Sequence, residues 1–384
     1  MELMDKEPEQ ARILLFWRSL RRFIAGIRML RRSEGVGVVH AVREYWRMRR
    51  AIGATSREFF RYRLWNQAAP LAERASFLTW AKRRPLEAFL NPRADMFRVR
   101  SKLWSDDFYR EHGLATPSRL GIWSPRSDPE SAPGRLRVRD ELVAAIAPLA
   151  AGVVMKLDVS GGGRSVLVFT SADAVGLGHA SGERWLYDRL IERMAIGEPW
   201  LIQARVTAHP ALAAIAGCDH AASLRLVTCR RRSGRIFVLP ATLKLPSVAT
   251  GVDNFGAGNV AIAVSDAGRI GPGARGLDGP AIDRHPVTGV AFHGQLVPHW
   301  DEAIALVMRG HSLIGPLRSI GWDVALTPDG PSILEGNVWW GVDVIQQPGL
   351  RGLLRGEFVD FMEEIGAAHL VNPWRRTRPV EPLT

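Results

Sequence analysis

The most informative stretch of the sequence is Gly321-Trp-Asp323-Val-Ala-Leu-Thr-Pro-Asp-Gly-Pro-Ser-Ile-Leu-Glu335-Gly-Asn337. Its Pro-Asp-Gly-Pro turn signal separates two apolar runs, which predicts a β-hairpin with a five-residue loop from Thr327 to Pro331. This loop places Asp323 directly across from Glu335, and Asn337 points to the same face as Glu335. Two carboxylates and an amide oxygen on one face make a site suited to magnesium that also holds phosphates. The alternative is a solvated surface hairpin.

A second segment, Met155-Lys156-Leu-Asp-Val-Ser160-Gly-Gly-Gly163, places a lysine at the end of a predicted buried strand, before a glycine turn. Backbone amides of such a loop approach phosphate oxygens closely, and the lysine supplies a point charge. It is not a Walker loop, because the lysine precedes the glycines. The alternative is a flexible connection with a surface lysine. The composition favours the phosphate site, because only five of the 51 basic residues are lysines: Lys6, Lys82, Lys102, Lys156 and Lys244.

The remaining chain alternates helical and strand signals without a regular βαβ period. This predicts an α+β protein built of subdomains rather than one doubly wound sheet. Helices are predicted for 102–112, 137–149, 183–194, 301–319 and 353–367. Strands are predicted for 152–157, 166–170, 200–206, 224–230 and 236–239, and a glycine-rich irregular region for 251–279.

The positive charge of the chain is concentrated in its first quarter. The 384 residues carry a net charge of +12, and residues 1–100 hold 22 Lys+Arg against 10 Asp+Glu, whereas the remainder holds 29 of each. This asymmetry predicts an anionic partner for the N-terminal region. No zinc-finger spacing, basic-zipper heptad or RNA-recognition motif accompanies it, so no specific nucleic acid is expected.

The N-terminal region is predicted to be helical, with a basic amphipathic helix from Ile13 to Leu30. Its apolar positions recur at three- and four-residue steps: Ile13, Phe16, Trp17, Leu20, Ile24 and Ile27. A second helix is predicted from Val39 to Arg50, and more helix between Ser56 and Ala88. Two interpretations stay open: residues 1–50 bind an anionic membrane surface, or the helix packs on the body with its arginines in water.

The sequence shows no secretory signal, and its apolar runs fall far short of the ~20 residues of a membrane-spanning helix. We therefore expect a cytoplasmic protein, with a peripheral position at the inner face of the membrane as the open alternative. Cys218 and Cys229 form no metal-ligand pattern and are expected to be reduced thiols.

Taken together, these segments resemble the ATP-grasp superfamily. Lys102, at the start of Lys102-Leu-Trp and ahead of His112-Gly-Leu-Ala-Thr-Pro117, is similar to the family's first lysine. Lys156 with Gly161, Gly162 and Gly163 is similar to its second lysine and its phosphate-covering loop. The likeness within the superfamily is closest to the sugar-transfer-associated ATP-grasp proteins, related to α-L-glutamate ligases, and covers roughly residues 98–370. It rests on Ser223–Thr228, Val252–Gly258, His285–Gly289, Leu296–Trp300 and the Gly321–Asn337 run.

The resemblance assigns roles to further residues. Gln203, in the strand Trp200 to Val206, corresponds to the residue that holds the adenine, where many relatives carry glutamate, and His209 lies near the ribose contact. Asp323, Glu335 and Asn337 match the magnesium ligands in order and spacing. Arg225 and Lys244 are implied to face the same cleft and to stabilise the phosphoryl group in transfer as catalytic residues.

The resemblance implies an ATP-grasp fold of two α+β subdomains that sandwich the nucleotide. The expected regions are a basic, mostly helical N-terminal region (1–97), an N-terminal subdomain (98–199), a C-terminal subdomain (200–370) and a tail (371–384). The implied function is an ATP- and Mg²⁺-dependent ligase that joins a small-molecule or glycan-linked carboxylate to an amine or hydroxyl acceptor through an acyl phosphate, in polysaccharide or cell-envelope biosynthesis. Two alternatives stay open: a small-molecule kinase, and a peripheral membrane or scaffold protein with a vestigial ATP site.

Overall fold

The structure is a computed structural model that describes residues 9–125, 134–159, 166–195, 199–247 and 255–371. The phosphate-covering loop predicted at Gly161, Gly162 and Gly163 lies outside the described residues, as does most of the predicted tail, 371–384.

The described residues form helices and strands in an order that alternates only in part. The helices are α1 (Glu9–Glu34), α2 (Val38–Ile52), α3 (Ser56–Arg61), α4 (Leu71–Ala75), α5 (Trp80–Leu90), α6 (Phe97–Arg100), α7 (Lys102–Glu111), α8 (Arg139–Ile146), α9 (Tyr187–Met194), α10 (Pro210–Ala216), α11 (Trp300–Leu313), α12 (Val342–Gln346), α13 (Glu357–Glu364) and α14 (Ala368–Val371). The strands are β1 (Arg119–Trp123), β2 (Arg135–Leu136), β3 (Val153–Leu157), β4 (Val166–Ala172), β5 (Gly176–His179), β6 (Arg184–Leu186), β7 (Trp200–Ala204), β8 (Ser223–Arg230), β9 (Ile236–Val238), β10 (Ala241–Leu245), β11 (Val260–Val264), β12 (Ile270–Arg275), β13 (Ala281–Ile282), β14 (Ser319–Thr327) and β15 (Gly330–Asn337).

The first sheet contains seven strands in the order β2-β1-β7-β3-β4-β5-β6. Its core lies under α8 and α9 and includes Trp123, Phe169 and Trp200. Strand β7 pairs antiparallel with β1 on one side and with β3 on the other. The subdomain boundary predicted at residue 200 therefore falls ahead of a strand of the first sheet, which extends to Ala204.

The second sheet contains eight strands in the order β13-β12-β11-β10-β8-β14-β15, with β9 paired to β8. Helix α11 covers one face, where Trp322 is buried, and α12 and α13 cover the other with Trp340 and Phe361. All nine residues of β14 are buried, so this strand is the centre of the subdomain. Two separate, largely antiparallel sheets with their own helices confirm the predicted α+β fold.

The hairpin of β14 and β15 differs from the predicted hairpin in a way that preserves its site. Thr327 pairs with Gly330, so the connection is two residues long and not five. A β-bulge between Asp323 and Val324 restores the register, because Val324 pairs with Ile333 while Asp323 pairs with Glu335. Asp323 thus lies opposite Glu335 as predicted, and Leu334 is the extra residue of the bulge.

Other element predictions are wrong in part. The predicted helix 301–319 ends at Leu313, and its last residue, Ser319, begins β14. The predicted helix from 183 begins only at Tyr187, because β6 alternates with Trp185 buried between two exposed neighbours. The region predicted as irregular, 251–279, contains β11 and β12, while its residues 251–254 lie outside the described part. Strand β12 was not predicted because it contains Gly273, and glycine is uncommon inside strands. Glycine is needed at this position because a Cβ there would lie 2.9 Å from the Phe292 ring.

The N-terminal helices pack on each other and on the second subdomain. Ile27 and Leu30 of α1 are buried against α2 and α3, and a Cβ at Gly26 would lie 2.4 Å from the Phe60 ring. The predicted single apolar face of α1 is divided, because Trp17 and Ile24 are exposed. No helix in the described ranges has the length and apolar character needed to cross a membrane.

A buried histidine fastens α11 to the second sheet. His311 is fully buried, its Nε2 donates to the Leu317 carbonyl at 2.9 Å, and its Nδ1 accepts from the Thr228 hydroxyl at 2.7 Å. Thr228 in turn accepts from Trp322 Nε1 at 2.8 Å. This arrangement suits the neutral imidazole, and burial lowers the pKa of His311 to about 4.

We predict that His311 makes stability dependent on pH below neutrality. The unfolded chain binds a proton with a pKa near 6.5 whereas the folded chain binds it with a pKa of about 4, so stability is lost as the pH falls from 6.5 to 4. The loss amounts to about 3 kcal/mol for this one group. Urea unfolding should show this loss in the native chain and in the control His293→Gln, an exposed site, but not in His311→Gln. An equal pH dependence in all three would contradict it.

Candidate active site

One face of the first sheet carries an apolar wall that ends in polar groups. In the antiparallel register, Val154 lies opposite both Gln203 and Val168, and Lys156 lies opposite Val166. These five side chains therefore point to the same side of the sheet. They line a cavity of about 390 Å³, a size within the range of small-molecule sites.

The opposite wall of this cavity belongs to the second sheet. Asp323 pairs with Glu335 on one side and with Arg225 on the other. Lys244 on β10 reaches the same carboxylate. All four side chains line the cavity together with Asn337. The structure therefore brings Lys156, Gln203, Arg225, Lys244 and the three predicted metal ligands into one site.

Asp323 is held by two cations at the bottom of the site. Arg225 Nε and Nη2 donate to Oδ1 and Oδ2 at 2.9 and 2.8 Å, and Lys244 Nζ lies 2.9 Å from Oδ1. Burial by itself would raise the pKa of the Asp323 carboxyl, but the charges of Arg225 and Lys244 outweigh it and hold the pKa well below the usual range. Asp323 is therefore a permanent anion, and the positions of Arg225 and Lys244 are fixed by it.

The pKa of the Glu335 carboxyl is shifted in the opposite direction from that of Asp323. Burial raises its pKa above the usual value, the charge of Asp323 raises it further, and the charges of Lys156, Lys102 and Arg225 oppose the change only in part. Asn337 Nδ2 lies 3.4 Å from Glu335 Oε1. A carboxylate whose ionised form lacks full compensation is suited to a divalent cation, which would supply the missing positive charge.

The two predicted phosphate lysines approach the site from the first subdomain. Lys156 is buried, and its Nζ donates at 3.0 Å to the carbonyl of Leu334, the bulge residue of β15. Lys102 begins α7 and its Nζ donates at 3.1 Å to the Asp158 carbonyl. Burial lowers the pKa of both ammonium groups. Lys102 lines a neighbouring cavity of about 450 Å³, which shares Gln203, Glu335 and Asn337 with the first.

Gln203 carries an acceptor that no described residue satisfies. Its Nε2 donates to Asp106 Oδ1 at 2.8 Å, and because a carboxylate only accepts, this bond fixes which end of the amide is which. The buried Oε1 has no partner among the described residues and belongs to a side chain that lines the cavity. A purine amino group is the kind of donor that this oxygen suits.

The charges of the site favour a polyanion. The side chains that line the two cavities include six cations and four carboxylates: Arg100, Lys102, Lys156, Arg205, Arg225 and Lys244 against Asp106, Asp323, Glu335 and Asp343. A lone divalent cation gains little in such a surrounding, whereas a phosphate-bound cation brings its own negative charge. The donor set of Asp323, Glu335 and Asn337 therefore fits magnesium that arrives with a nucleotide.

His209 is the one described candidate that the structure places elsewhere. Its Nδ1 accepts from the Ala211 backbone at the start of α10, and its ring lies edge-on to His299 at 5.5 Å. It is not among the residues lining either cavity. A ribose contact by His209 stays a prediction.

Two aspartates of the site were not given a role from the sequence. Asp106 positions Gln203, and Asp158 accepts from Ser101 Oγ at 2.9 Å and from the Leu103 amide at 3.0 Å at the start of α7. The spacing of Asp106 carries a signal, because it follows Lys102 by one helical turn and so shares the face of a predicted site lysine. Asp158 lies just after the end of β3, where strand alternation gives no such signal.

We predict that the two carboxylates of the site respond differently to neutralisation. Asp323→Asn leaves Arg225 and Lys244 buried without their counterion, which should cost ~3–5 kcal/mol of folding stability. Glu335→Gln removes a charge that burial disfavours, so stability should be retained or should rise while magnesium-dependent nucleotide binding is lost. Urea unfolding and calorimetry with MgATP measure the two effects. Unchanged MgATP affinity in a folded Glu335→Gln variant would exclude Glu335 as a ligand.

A second prediction concerns why glutamine and not glutamate stands at position 203. Gln203→Glu places a second carboxylate against Asp106, 2.8 Å from the position of the present amide nitrogen. We expect it to destabilise the fold at pH 7.5 by roughly 1–3 kcal/mol, which is the cost of a buried polar group that lacks a hydrogen-bond partner. Asp106→Asn removes ion pairs of Asp106 with Arg110 and Arg119 and has a cost of its own, but in that background Gln203→Glu should cost much less. Additive effects of the two substitutions in a double-mutant cycle would show that the pair does not interact.

Comparisons with known proteins place this chain in a family. Residues 81–358 match the family described as sugar-transfer associated ATP-grasp. No curated protein matches the chain. Among solved structures, D-alanyl-alanine synthetase A from Vibrio cholerae is 11% identical with a TM-score of 0.42, and the match covers 72% of this chain and 66% of that one.

Two further solved structures match the chain at similar distance. D-alanine–D-alanine ligase from Bacillus anthracis is 13% identical with a TM-score of 0.33, over 63% of this chain and 56% of that one. An ADP complex of N5-carboxyaminoimidazole ribonucleotide synthetase is 12% identical with a TM-score of 0.36, over 63% of this chain and 45% of that one. The chain thus spans about half the length of these two enzymes. The family match extends over most of the sheets that form the site, and the chain belongs to the sugar-transfer associated ATP-grasp family.

Proposed function

We propose that the chain is an ATP- and Mg²⁺-dependent ligase that joins a carboxylate to an amine or hydroxyl acceptor. The observation that carries the proposal is the cluster of Arg225, Lys244 and Asp323 opposite Glu335, within one cavity that also has an apolar wall. The cluster combines cations fixed in place with oxygen ligands for a divalent metal. Such an arrangement serves phosphoryl transfer, where negative charge develops on the transferred group.

The first sheet supplies the nucleotide site in this proposal. The adenine lies on the wall of Val154, Val166 and Val168, and its amino group donates to the Oε1 of Gln203. Lys156 and Lys102 bind the phosphates. Their ammonium groups now donate to backbone carbonyls, which are weaker acceptors than phosphate oxygens.

The second sheet supplies the metal site and the reaction centre. Asp323, Glu335 and Asn337 would hold magnesium, which when bound neutralises charge on the β- and γ-phosphate oxygens. Arg225 and Lys244 lie beside these ligands and cannot swing away, because both are bonded to Asp323. They orient the substrate carboxylate and stabilise the phosphoryl group as it is transferred.

The reaction has two steps. A carboxylate oxygen of the substrate attacks the γ-phosphorus of ATP, the bond from that phosphorus to the β–γ bridging oxygen breaks, and ADP leaves. An acceptor amine or hydroxyl then attacks the carbonyl carbon of the acyl phosphate, the carbon–oxygen bond to the phosphate breaks, and inorganic phosphate leaves. The acceptor loses its proton to water. The family description supports a sugar-derived or glycan-linked reactant, which would place the enzyme in polysaccharide or cell-envelope biosynthesis.

The ligase is tested by trapping the acyl phosphate. Purified chain is incubated with MgATP, hydroxylamine and single carboxylates, including uronic acids and amino acids. We expect one class to yield a hydroxamate with ADP and free phosphate in equal amounts. A stable phosphorylated product, with neither hydroxamate nor free phosphate, would instead establish a kinase.

Lys156→Met tests the role of the lysine charge, since it keeps most of the length of the side chain and removes the ammonium group. It should bind ATP ~10- to 100-fold more weakly, the value of a charge-assisted hydrogen bond, and leave adenosine binding nearly unchanged. Calorimetry with both ligands measures this. Equal weakening of both would mean that Lys156 acts on the fold and not on the phosphates.

A further inference from the structure

The exposed sides of α1 and α2 carry the same unusual pattern of side chains. On α1, Trp17, Arg21, Ile24, Arg28 and Arg32 follow one another at three- and four-residue steps. All five are exposed, and Trp17 and Ile24 are 53% and 42% accessible. This spacing places them along one side of the helix, away from the buried Ile27 and Leu30.

Helix α2 repeats the alternation. Val39, Arg43, Trp46 and Arg50 are exposed at steps of four, three and four residues, with Val39 83% and Trp46 51% accessible. The opposite side of the helix is buried at Ala41, Met48 and Ile52. We call these two rows, 17–32 and 39–50, the basic–apolar stripes. Each helix therefore packs on the protein with one side and presents arginines interleaved with large apolar groups on the other.

The charge of the stripes is not compensated within the described structure. Residues 20–50 hold nine arginines and two glutamates. Glu34 pairs with Arg63 at 2.7 Å, and Glu44 is buried against Arg74 at 2.6 Å with Arg47 of α2 at 3.6 Å, so the two carboxylates pair mainly with residues outside α1 and α2. Within the described ranges, Arg21, Arg28, Arg32, Arg43 and Arg50 form no ion pair.

We propose that the basic–apolar stripes dock the protein onto an anionic lipid surface. Arginines attract acidic headgroups, and their long side chains can reach these while Trp17, Ile24, Val39 and Trp46 enter the boundary between headgroups and acyl chains. An interfacial helix uses this combination of charge and apolar anchors. The proposal goes beyond the ligase reaction and does not depend on it.

The apolar members of the stripes distinguish lipid from nucleic acid. A nucleic-acid surface uses arginines for phosphates and aromatic rings for bases, but has no continuous apolar layer that takes up a row of exposed apolar groups such as Ile24, Met29 and Val39. A lipid surface takes up both the charges and the aliphatic groups. Docking by the helix sides leaves their buried sides in place, so no unfolding of the helices is required.

Co-sedimentation of the intact chain with vesicles tests the proposal. Vesicles of phosphatidylglycerol mixed equally with phosphatidylcholine should bind the chain at low salt, and vesicles of phosphatidylcholine alone should bind it far more weakly. Binding should weaken with salt, because exposed charges are screened. An intact chain that does not bind phosphatidylglycerol vesicles at low salt overturns the proposal. If that chain binds labelled single-stranded DNA instead, nucleic acid is the partner of the stripes.

Two pairs of substitutions separate the contributions of charge and insertion. Arg28→Glu with Arg43→Glu should weaken vesicle binding about 30-fold or more, since each arginine at an anionic surface contributes a factor of about five. Its control, Arg269→Glu with Arg351→Glu, changes the net charge equally at exposed sites outside the stripes and should bind nearly as the native chain.

Ile24→Ser with Val39→Ser should weaken binding several-fold at both low and high salt. Its control is Val175→Ser with Val287→Ser, two valines that are 62% and 67% accessible. Thermal melting checks that all four variants keep the native fold, which is expected because every changed side chain is exposed. Binding that does not distinguish the stripe variants from their controls overturns the proposal.

Discussion

The buried carboxylate of Asp323 is the constraint on which the site depends. An isolated charge in that position would be costly, so the fold must place Arg225 and Lys244 against it from two further strands. The same requirement fixes the order of the second sheet at this point, since β8 has to lie beside β14 and β10 beside β8. One group of atoms therefore serves the fold and shapes the cavity: the ion cluster that neutralises the sheet interior also holds two cations at the cavity wall.

The bulge in the hairpin connects this cluster to the other subdomain. It adds Leu334 to β15 without a partner on β14, and the carbonyl of Leu334 accepts from Lys156 of the first sheet. Asp106 makes a comparable connection within the first subdomain, because it lies on α7 and accepts from the amide of Gln203 on β7. Arg225, Lys244 and Gln203 are thus held by the buried carboxylates of Asp323 and Asp106, which is the condition for a preorganised site.

The sequence predicts which residues form the site better than it predicts the hydrogen bonds and ion pairs between them. Spacing within one hairpin was enough to place Asp323 across from Glu335. The predicted loop was three residues too long, but the resulting shift of register is only one residue, and the bulge at Leu334 compensates for it. The bonds from Arg225 to Asp323 and from Gln203 to Asp106 join positions 98 and 97 residues apart, and no local period reports such pairs. The split of α1 into a packed and an exposed side was equally hidden, since apolar residues occur on both. Periodicity shows that a helix has apolar stripes, but not which of them the protein covers.

The helices that carry the basic–apolar stripes are joined rigidly to the cavity. Helix α3 packs against α1 through Phe60, and its Arg61 binds Asp343, which lines the cavity and also accepts from the Tyr62 hydroxyl at 2.5 Å. The buried Gln346, on the same short helix as Asp343, accepts from the Leu78 amide at 2.9 Å. A surface that holds α1 and α2 would therefore hold the cavity at a set distance and orientation from it, since the bonds of Arg61, Tyr62 and Gln346 connect these helices to the wall of the cavity.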